Sequence, residues 1–381
     1  MSITIASLQA EHHESGFGIG VPAPRLSWRF GPSSTKNWTQ TSYEVHIDRG
    51  GRKEQYKVDS DASNLVPWPS SPLRSRERVT VTVKSTGTDG SSATSPSLHL
   101  EAALFDRDDW TAQLISGPKQ DPSKAKVPFR LAKTFTAKSG GSARLYATAH
   151  GLYRVEINGK TVGDQVLTPG WQSYQHHLNY QIYDVSGLLQ EGENTIVAHL
   201  GEGWFAGRLR TAGLRNVWGH RLGFLGQLEV DGQAIVGTDE SWNVLGSPIT
   251  DSSIYDGETV DTTLNGDDKP VGQAEVIAFP SAHLVSPDAP PVRRIQEIKG
   301  VEIITTPSGK KVIDFGQNLV GWVRIETDLK GDKVVMRHAE VLEDGELGVR
   351  PLRSAKATTE IKLGGAPTQG WEPKFTFYGF R

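Results

Sequence analysis

The sequence predicts an all-β chain made of tandem β-sandwich and jelly-roll domains. Three observations carry this reading. The informative stretches alternate apolar and polar residues with period two. Turn signals recur roughly every 8–12 residues, as in sandwiches and jelly rolls. The helical segments of about 10–15 residues that a large α/β sheet needs between its strands are missing. The 381 residues fit two to four domains at about 100–200 residues each.

Taken in order, the first strands are Tyr43-Glu44-Val45-His46-Ile47 and Val79-Thr80-Val81-Thr82-Val83. Tyr153-Arg154-Val155-Glu156-Ile157 then meets Asn158-Gly159, which reads as a type I′ hairpin turn. Leu228-Glu229-Val230 meets Asp231-Gly232 in the same way, before Ala234-Ile235-Val236. Leu319 to Ile325 and Lys333 to Met336 read as two further strands. Three composition breaks suggest boundaries. An acidic cluster, Asp106-Arg107-Asp108-Asp109, lies within Ala103 to Trp110. Phe279 to Pro291 contains Pro280, Pro287, Pro290 and Pro291. The chain ends on the aromatic run Phe375-Thr376-Phe377-Tyr378-Gly379-Phe380-Arg381, which reads as a strand and suggests truncation, since ordinary termini are polar and loosely held.

Composition excludes several classes. The formal charge of −3 gives no basic field for general nucleic-acid binding. The absence of cysteine removes disulfides, thiolate catalysis and Cys-based zinc sites. No stretch reaches the roughly 18 consecutive apolar residues of a membrane helix. The N-terminus has no basic region and no long apolar core, so the expected location is cytoplasmic, or secreted if a leader was removed.

Most motifs read as structure. Gly16-Phe17-Gly18-Ile19-Gly20 has the wrong spacing for a nucleotide cradle, and Pro22 and Pro24 oppose the helix that one needs. In His12-His13 and His176-His177 adjacent residues point to opposite faces of a strand, which suits hydrogen bonding better than metal ligation. No Gly-x-Ser-x-Gly elbow occurs. Asp106, Asp108 and Asp109 sit in an expected linker and are not read as a catalytic pair.

The strongest local signal is aromatic and polar residues crowded into strand-end loops. Gly170-Trp171-Gln172-Ser173-Tyr174 is one cluster. Gly201-Glu202-Gly203-Trp204-Phe205-Ala206-Gly207-Arg208 is a second, and Tyr255-Asp256-Gly257-Glu258 a third. An indole face covers the C–H face of a sugar ring, while Arg, Glu and Asp bond its hydroxyls. The expected ligand-binding residues are therefore Trp171, Tyr174, Glu202, Trp204, Arg208, Tyr255, Asp256 and Glu258. The competing reading is that these side chains pack the ends of a sandwich.

These residues also carry a family resemblance. The chain resembles the N-terminal part of bacterial and fungal α-L-rhamnosidases, glycoside hydrolases that release terminal L-rhamnose. Val21-Pro22-Ala23-Pro24-Arg25-Leu26-Ser27-Trp28 resembles the opening of the family's fibronectin-like module. Ala143 to Arg208 is similar to its jelly-roll module, through Gly151-Leu152-Tyr153, Thr168-Pro169-Gly170-Trp171 and Gly201-Glu202-Gly203-Trp204, and Ile254-Tyr255-Asp256-Gly257-Glu258 continues it. Asp314-Phe315-Gly316-Gln317-Asn318, Gly321-Trp322-Val323, Arg337-His338-Ala339-Glu340-Val341 and the terminal aromatic run resemble the next β-sandwich. With the composition breaks, the resemblance implies a fibronectin type III-like sandwich over 1–105. It implies a galactose-binding-like jelly roll over 106–285 and a truncated β-sandwich over 286–381.

In the family an (α/α)6 barrel follows and holds the acidic catalytic residues. Its Arg-Asp-Glu-Arg signature has no match here, so no catalytic residue is assigned. The jelly-roll module binds rhamnose in some members, sometimes through calcium. No metal ligands are assigned, but loops bearing Asp164 or Asp256 are where Ca2+ is looked for, given its need for about 6–8 oxygens. The leading expectation is a non-catalytic fragment that binds a carbohydrate or glycoside, with no nucleic-acid or membrane partner. One alternative is a stand-alone homologue repurposed for small-molecule chemistry in a β-domain cleft. Another is an interaction protein that self-associates through the C-terminal strand, with Phe375, Phe377, Tyr378 and Phe380 as the exposed patch.

Overall fold

A computed structural model describes residues 3–381 apart from 14, 35–36, 210–212, 266, 328–331 and 365–367. The fold is all-β. Among the described residues the α-helical content is one turn, Gly203–Ala206. No described helix is long and apolar enough to cross a membrane. The chain divides into two compact units, Met1–Trp110 with Leu284–Pro291, and Thr111–His283 with Val292–Arg381.

The first unit is a sandwich whose larger sheet runs Phe17–Ile19, Leu98–Ala102, Arg78–Gly87, Gln40–Arg49, Arg52–Val58. Its alternation reads directly as burial. Val79, Val81 and Val83 lie beside Tyr43, Val45 and Ile47 of the neighbouring strand on one buried face, closed by Trp28 from the strand Leu26–Phe30. Trp28 meets the edge of Tyr43 at 5.0 Å and donates through Nε1 to the buried Gln40 amide oxygen at 3.0 Å. The acidic cluster is ordered. The Asp109 carboxylate accepts from Ser75 Oγ, Arg76 Nη1 and the N–H of Asp106, so it pins a turn. The proline-rich segment returns to this unit, where Ser286 Oγ donates to Gly18 O and His12 N–H donates to Asp288. His13 Nε2 lies 3.5 Å from the same carboxylate.

The second unit opens with a two-sheet jelly roll. One sheet runs Lys160–Thr161, Leu152–Ile157, Gly192–Gly201, Phe129–Ala137, Asn243–Leu245, Pro270–Gln273. The other runs Gln181–Asp184, Ala143–His150, Gly223–Val230, Ile115–Ser116, Glu275–Val276. Asn158 and Gly159 both take positive φ, as do Asp231 and Gly232, which is the type I′ geometry their dipeptides called for. A further four-stranded sheet takes Ile249–Ser253 and Gly257–Asp261 from before residue 284, and Thr358–Lys362 and Lys333–Arg337 from after it. Gly257–Asp261 and Thr358–Lys362 pair in parallel.

Two expectations change. The run Leu319 to Ile325 is not one strand. Leu319–Gly321 pairs with Tyr378–Phe380, whereas Ile325–Thr327 pairs with Thr368–Trp371, so the chain switches partner between them. The terminal aromatics form no exposed patch. Phe375, Tyr378 and Phe380 are buried: pairing with Leu319–Gly321 turns Tyr378 and Phe380 into their own chain, and Phe375 packs with Leu152, Ile249 and Val260. Tyr378 stacks on His338 at 3.9 Å, and Phe377 lies half-buried against Trp204.

Candidate ligand-binding site

The loop leading to Trp171 is tightly held. Gly163, Leu167 and Gly170 all have positive φ. For leucine that conformation costs about 1–2 kcal/mol, so surrounding structure has to impose it. Tyr153 N–H donates to Thr168 O at 2.9 Å, and Thr168 Oγ1 donates to Tyr153 O at 3.0 Å. Val166 N–H donates to Val292 O, and Leu167 packs on Leu152, Ile249, Val260 and Phe375. The loop thereby presents the Trp171 indole with 58% of the residue exposed.

Trp204 comes from the helical turn Gly203–Ala206 that follows the strand Gly192–Gly201. Its ring lies parallel to Trp171 within 5°, with centroids 6.3 Å apart. Phe377 closes the inner side at 6.3 Å. The result is an aromatic shelf, anchored inside and open at Trp171.

Arg208, Tyr255 and Asp256 form a second group. Arg208 Nη1 donates to Asp256 Oδ1 at 2.5 Å, and Nη2 donates to Ser354 O and Oγ at 2.9 and 2.6 Å. The guanidinium also lies 5.9 Å from the Tyr255 ring centre. Ser354 carries no sequence signal for this role, since it is 146 positions from Arg208. Phe377 was visible only as part of an aromatic strand.

The other three expected residues lie inside. Tyr174 is buried against Phe205 and Trp218 and donates to Gly170 O, and burial pushes its phenol well above the ordinary range. Glu202 is fully buried. Its carboxylate accepts from Lys126 N–H at 3.0 Å and Arg215 Nη1 at 2.7 Å. Burial raises its pKa, and those partners oppose the rise. Glu258 is also buried, and its Oε2 accepts from the N–H groups of Lys374 and Phe375, both at 3.0 Å. These carboxylates hold the scaffold and do not face solvent.

Among the described residues no three His, Asp or Glu side chains gather as a metal cluster. Asp164 is paired with Arg293 at 2.9 Å and Asp256 with Arg208, so each carboxylate considered for Ca2+ already has a countercharge.

One histidine packed on the helical turn that carries Trp204 predicts a pH effect. His150 stacks on Phe205 at 4.5 Å, and burial pulls its imidazole down to about 4. Above about 6.5 it is neutral in both folded and unfolded chains. Below that only the unfolded chain takes the proton, so stability falls as pH drops toward 4, by up to about 3 kcal/mol. Urea midpoints at pH 7 and pH 5 check this. His150→Phe is expected to lose less stability over that interval than the wild type, and an equal loss in both proteins removes His150 as the cause.

Three family models cover most of the chain, in order. The Rha78A-like N-terminal immunoglobulin domain matches residues 5–106. The α-L-rhamnosidase N-terminal domain matches 138–296, and the bacterial α-L-rhamnosidase concanavalin-like domain matches 304–381. The chain belongs to the α-L-rhamnosidase family. It corresponds to the N-terminal part of its members. An α-L-rhamnosidase of Formosa agariphila is 32% identical over 98% of this chain and 44% of its own length. One from an Alteromonas species is 30% identical over 96% of this chain and 43% of its own. The crystal structure of the Aspergillus terreus α-L-rhamnosidase superposes with a TM-score of 0.93 at 42% identity, covering all of this chain and 46% of that one. The chain thus spans less than half the length of these relatives.

Proposed function

We propose that this chain is a non-catalytic β-domain portion of an α-L-rhamnosidase-like protein, and that it binds rhamnose or a related glycoside on the Trp171–Trp204 shelf. The observation that supports this most is the Trp171 indole, held exposed by an imposed loop conformation and backed by a parallel indole. An indole held on an ordered loop with more than half of its residue exposed offers a flat apolar face to a ligand. The C–H face of a pyranose ring covers such a surface. Arg208 and Asp256 are part-exposed polar groups that suit sugar hydroxyls.

The test is calorimetric titration with L-rhamnose beside an assay of nitrophenol release from p-nitrophenyl α-L-rhamnoside. Binding without release is expected. Trp171→Ala is expected to weaken binding about tenfold, or about 1.4 kcal/mol, with the urea midpoint unchanged. Equal affinity in Trp171→Ala and wild type moves the ligand off the shelf. Release that tracks the pure chain and disappears with its own carboxylates overturns the non-catalytic assignment.

A further inference from the structure

Glu258 has no role in ligand contact, yet it is built into the support of the shelf. It lies on the hairpin Ile249–Ser253 and Gly257–Asp261, directly across from Ser252. Its Oε2 takes two consecutive backbone N–H groups, those of Lys374 and Phe375. The next residue is held as well, with Thr376 Oγ1 donating to Ser253 O at 3.0 Å. Phe375 fills the space over Gly201, where an added Cβ would come within 2.6 Å of its ring. Phe375 packs in the cluster that also carries Leu167 and Trp204. Phe377 lies two residues further on, its ring tilted against Trp204 at 6.3 Å. Three consecutive anchors on one hairpin therefore fix the piece of chain that backs the shelf.

We infer that Glu258 is a positioning residue for the aromatic shelf: by clamping the Lys374–Phe375 backbone it holds Phe377 against Trp204, and its protonation state sets how firmly that segment is docked. The first half rests on geometry alone. The second follows from the surroundings of the carboxyl. Its Oε1 is buried and has no hydrogen-bond partner. Arg154 from the strand Leu152–Ile157, and Lys374 and Tyr378 from the terminal segment, act on it directly, while Glu156, Glu372 and His199 surround Lys374. Burial carries Glu258 up to about 7, against the pull of the two N–H donors, Lys374 and Arg154. His199 is held neutral by burial, so it adds no charge to the seam near neutrality.

The docked segment therefore favours the protonated carboxyl more than a released segment does. Docking is firmest in acid and weakens as the pH rises through about 7. The window runs from the ordinary carboxyl value of 4.5 to about 7, which corresponds to roughly a 300-fold change in the release equilibrium.

The test reads hydrogen exchange at the Lys374 and Phe375 amides between pH 5 and pH 8, corrected for the intrinsic pH dependence of exchange. Protection in the wild type is expected to fall by about 100-fold over that range. Glu258→Gln keeps an acceptor oxygen and cannot ionise, so its protection is expected to be flat with pH. Glu258→Leu removes the acceptor and is expected to lose the near-ultraviolet circular dichroism of the paired indoles, a signal assigned by its loss in Trp171→Phe. A pH-independent protection in the wild type overturns the protonation coupling. A folded Glu258→Leu protein with the wild-type indole signal overturns the positioning role. Neither arm uses a ligand, so both stand or fall apart from the reading of the shelf as a sugar site. A parallel L-rhamnose titration of Glu258→Gln is expected to match the wild type in acid and exceed it above pH 7. An affinity ratio that does not change with pH counts against the link between docking and the shelf.

Discussion

Replacing Arg215 by methionine is expected to destabilise the second unit by about 3–5 kcal/mol. Glu202 is completely buried, and its two partners are the Lys126 N–H and the Arg215 guanidinium. Lys126 is itself buried, with its ammonium held by the carbonyls of Asp121 and Lys124 and not by Glu202. Removing Arg215 leaves a buried carboxylate with a single backbone donor and only the more distant charge of Lys126 to oppose it. Methionine keeps much of the aliphatic stem, so the loss reports charge more than packing. Glu202→Gln added to Arg215→Met removes the charge and is expected to recover at least half of the lost stability. Urea unfolding of the two variants and the wild type, with m held constant, measures this. A loss under about 1 kcal/mol in Arg215→Met would mean that water reaches Glu202, and would return that residue to the list of ligand contacts.

Gly257→Ala is expected to be at least as damaging, above about 4 kcal/mol, with loss of the cooperative transition in the second unit. Gly257 has φ +108°, and an added Cβ would lie 1.9 Å from Thr358 O and 2.6 Å from Tyr378 OH. The nearest atom is backbone of the parallel partner strand, so no side chain can swing aside to relieve the contact. The strand Thr358–Lys362 would have to leave Gly257–Asp261, and Glu258 would move with it. Gly159→Ala is the control. It has φ +73° in the Asn158-Gly159 turn but nothing within 4 Å of an added Cβ. Its cost is the conformational term alone, about 1–2 kcal/mol. Thermal unfolding of the two variants separates close approach from positive φ, and similar losses in both would show that the parallel strands yield more easily than their spacing implies.

Much of the architecture was legible because its signals are local. The valines of Val79–Val83 alternate in sequence and in burial. Asn158-Gly159 and Asp231-Gly232 require positive φ wherever they occur in a tight hairpin, and they take it here. Leu319 to Ile325 failed as a single strand for a non-local reason. Each half satisfies its backbone with a different distant partner, and no residue between them announces the switch.

The candidate site divided in the same way. That Trp171, Trp204, Arg208 and Asp256 are grouped at strand ends was readable from aromatic and charged residues crowded there. Tyr174, Glu202 and Glu258 sit in those same clusters, and their types alone gave no sign that they point inward. A glutamate in a loop is expected to be solvated. Whether it is depends on the groups that close over it, here Arg215 and Lys126 for one, and the Lys374–Phe375 backbone for the other.

By itself the sequence determined the all-β class, the hairpins and, through its ordered motifs, the α-L-rhamnosidase family. The tertiary structure alone decided which aromatics face solvent, which carboxylates are buried, and that the terminal strand turns inward. The physical reason is one of range. Turn chemistry and strand alternation act within a few residues, where backbone sterics and side-chain period set the outcome. Burial, charge pairing and ring stacking depend on groups brought together from far along the chain, as Arg208 and Ser354 are across 146 positions.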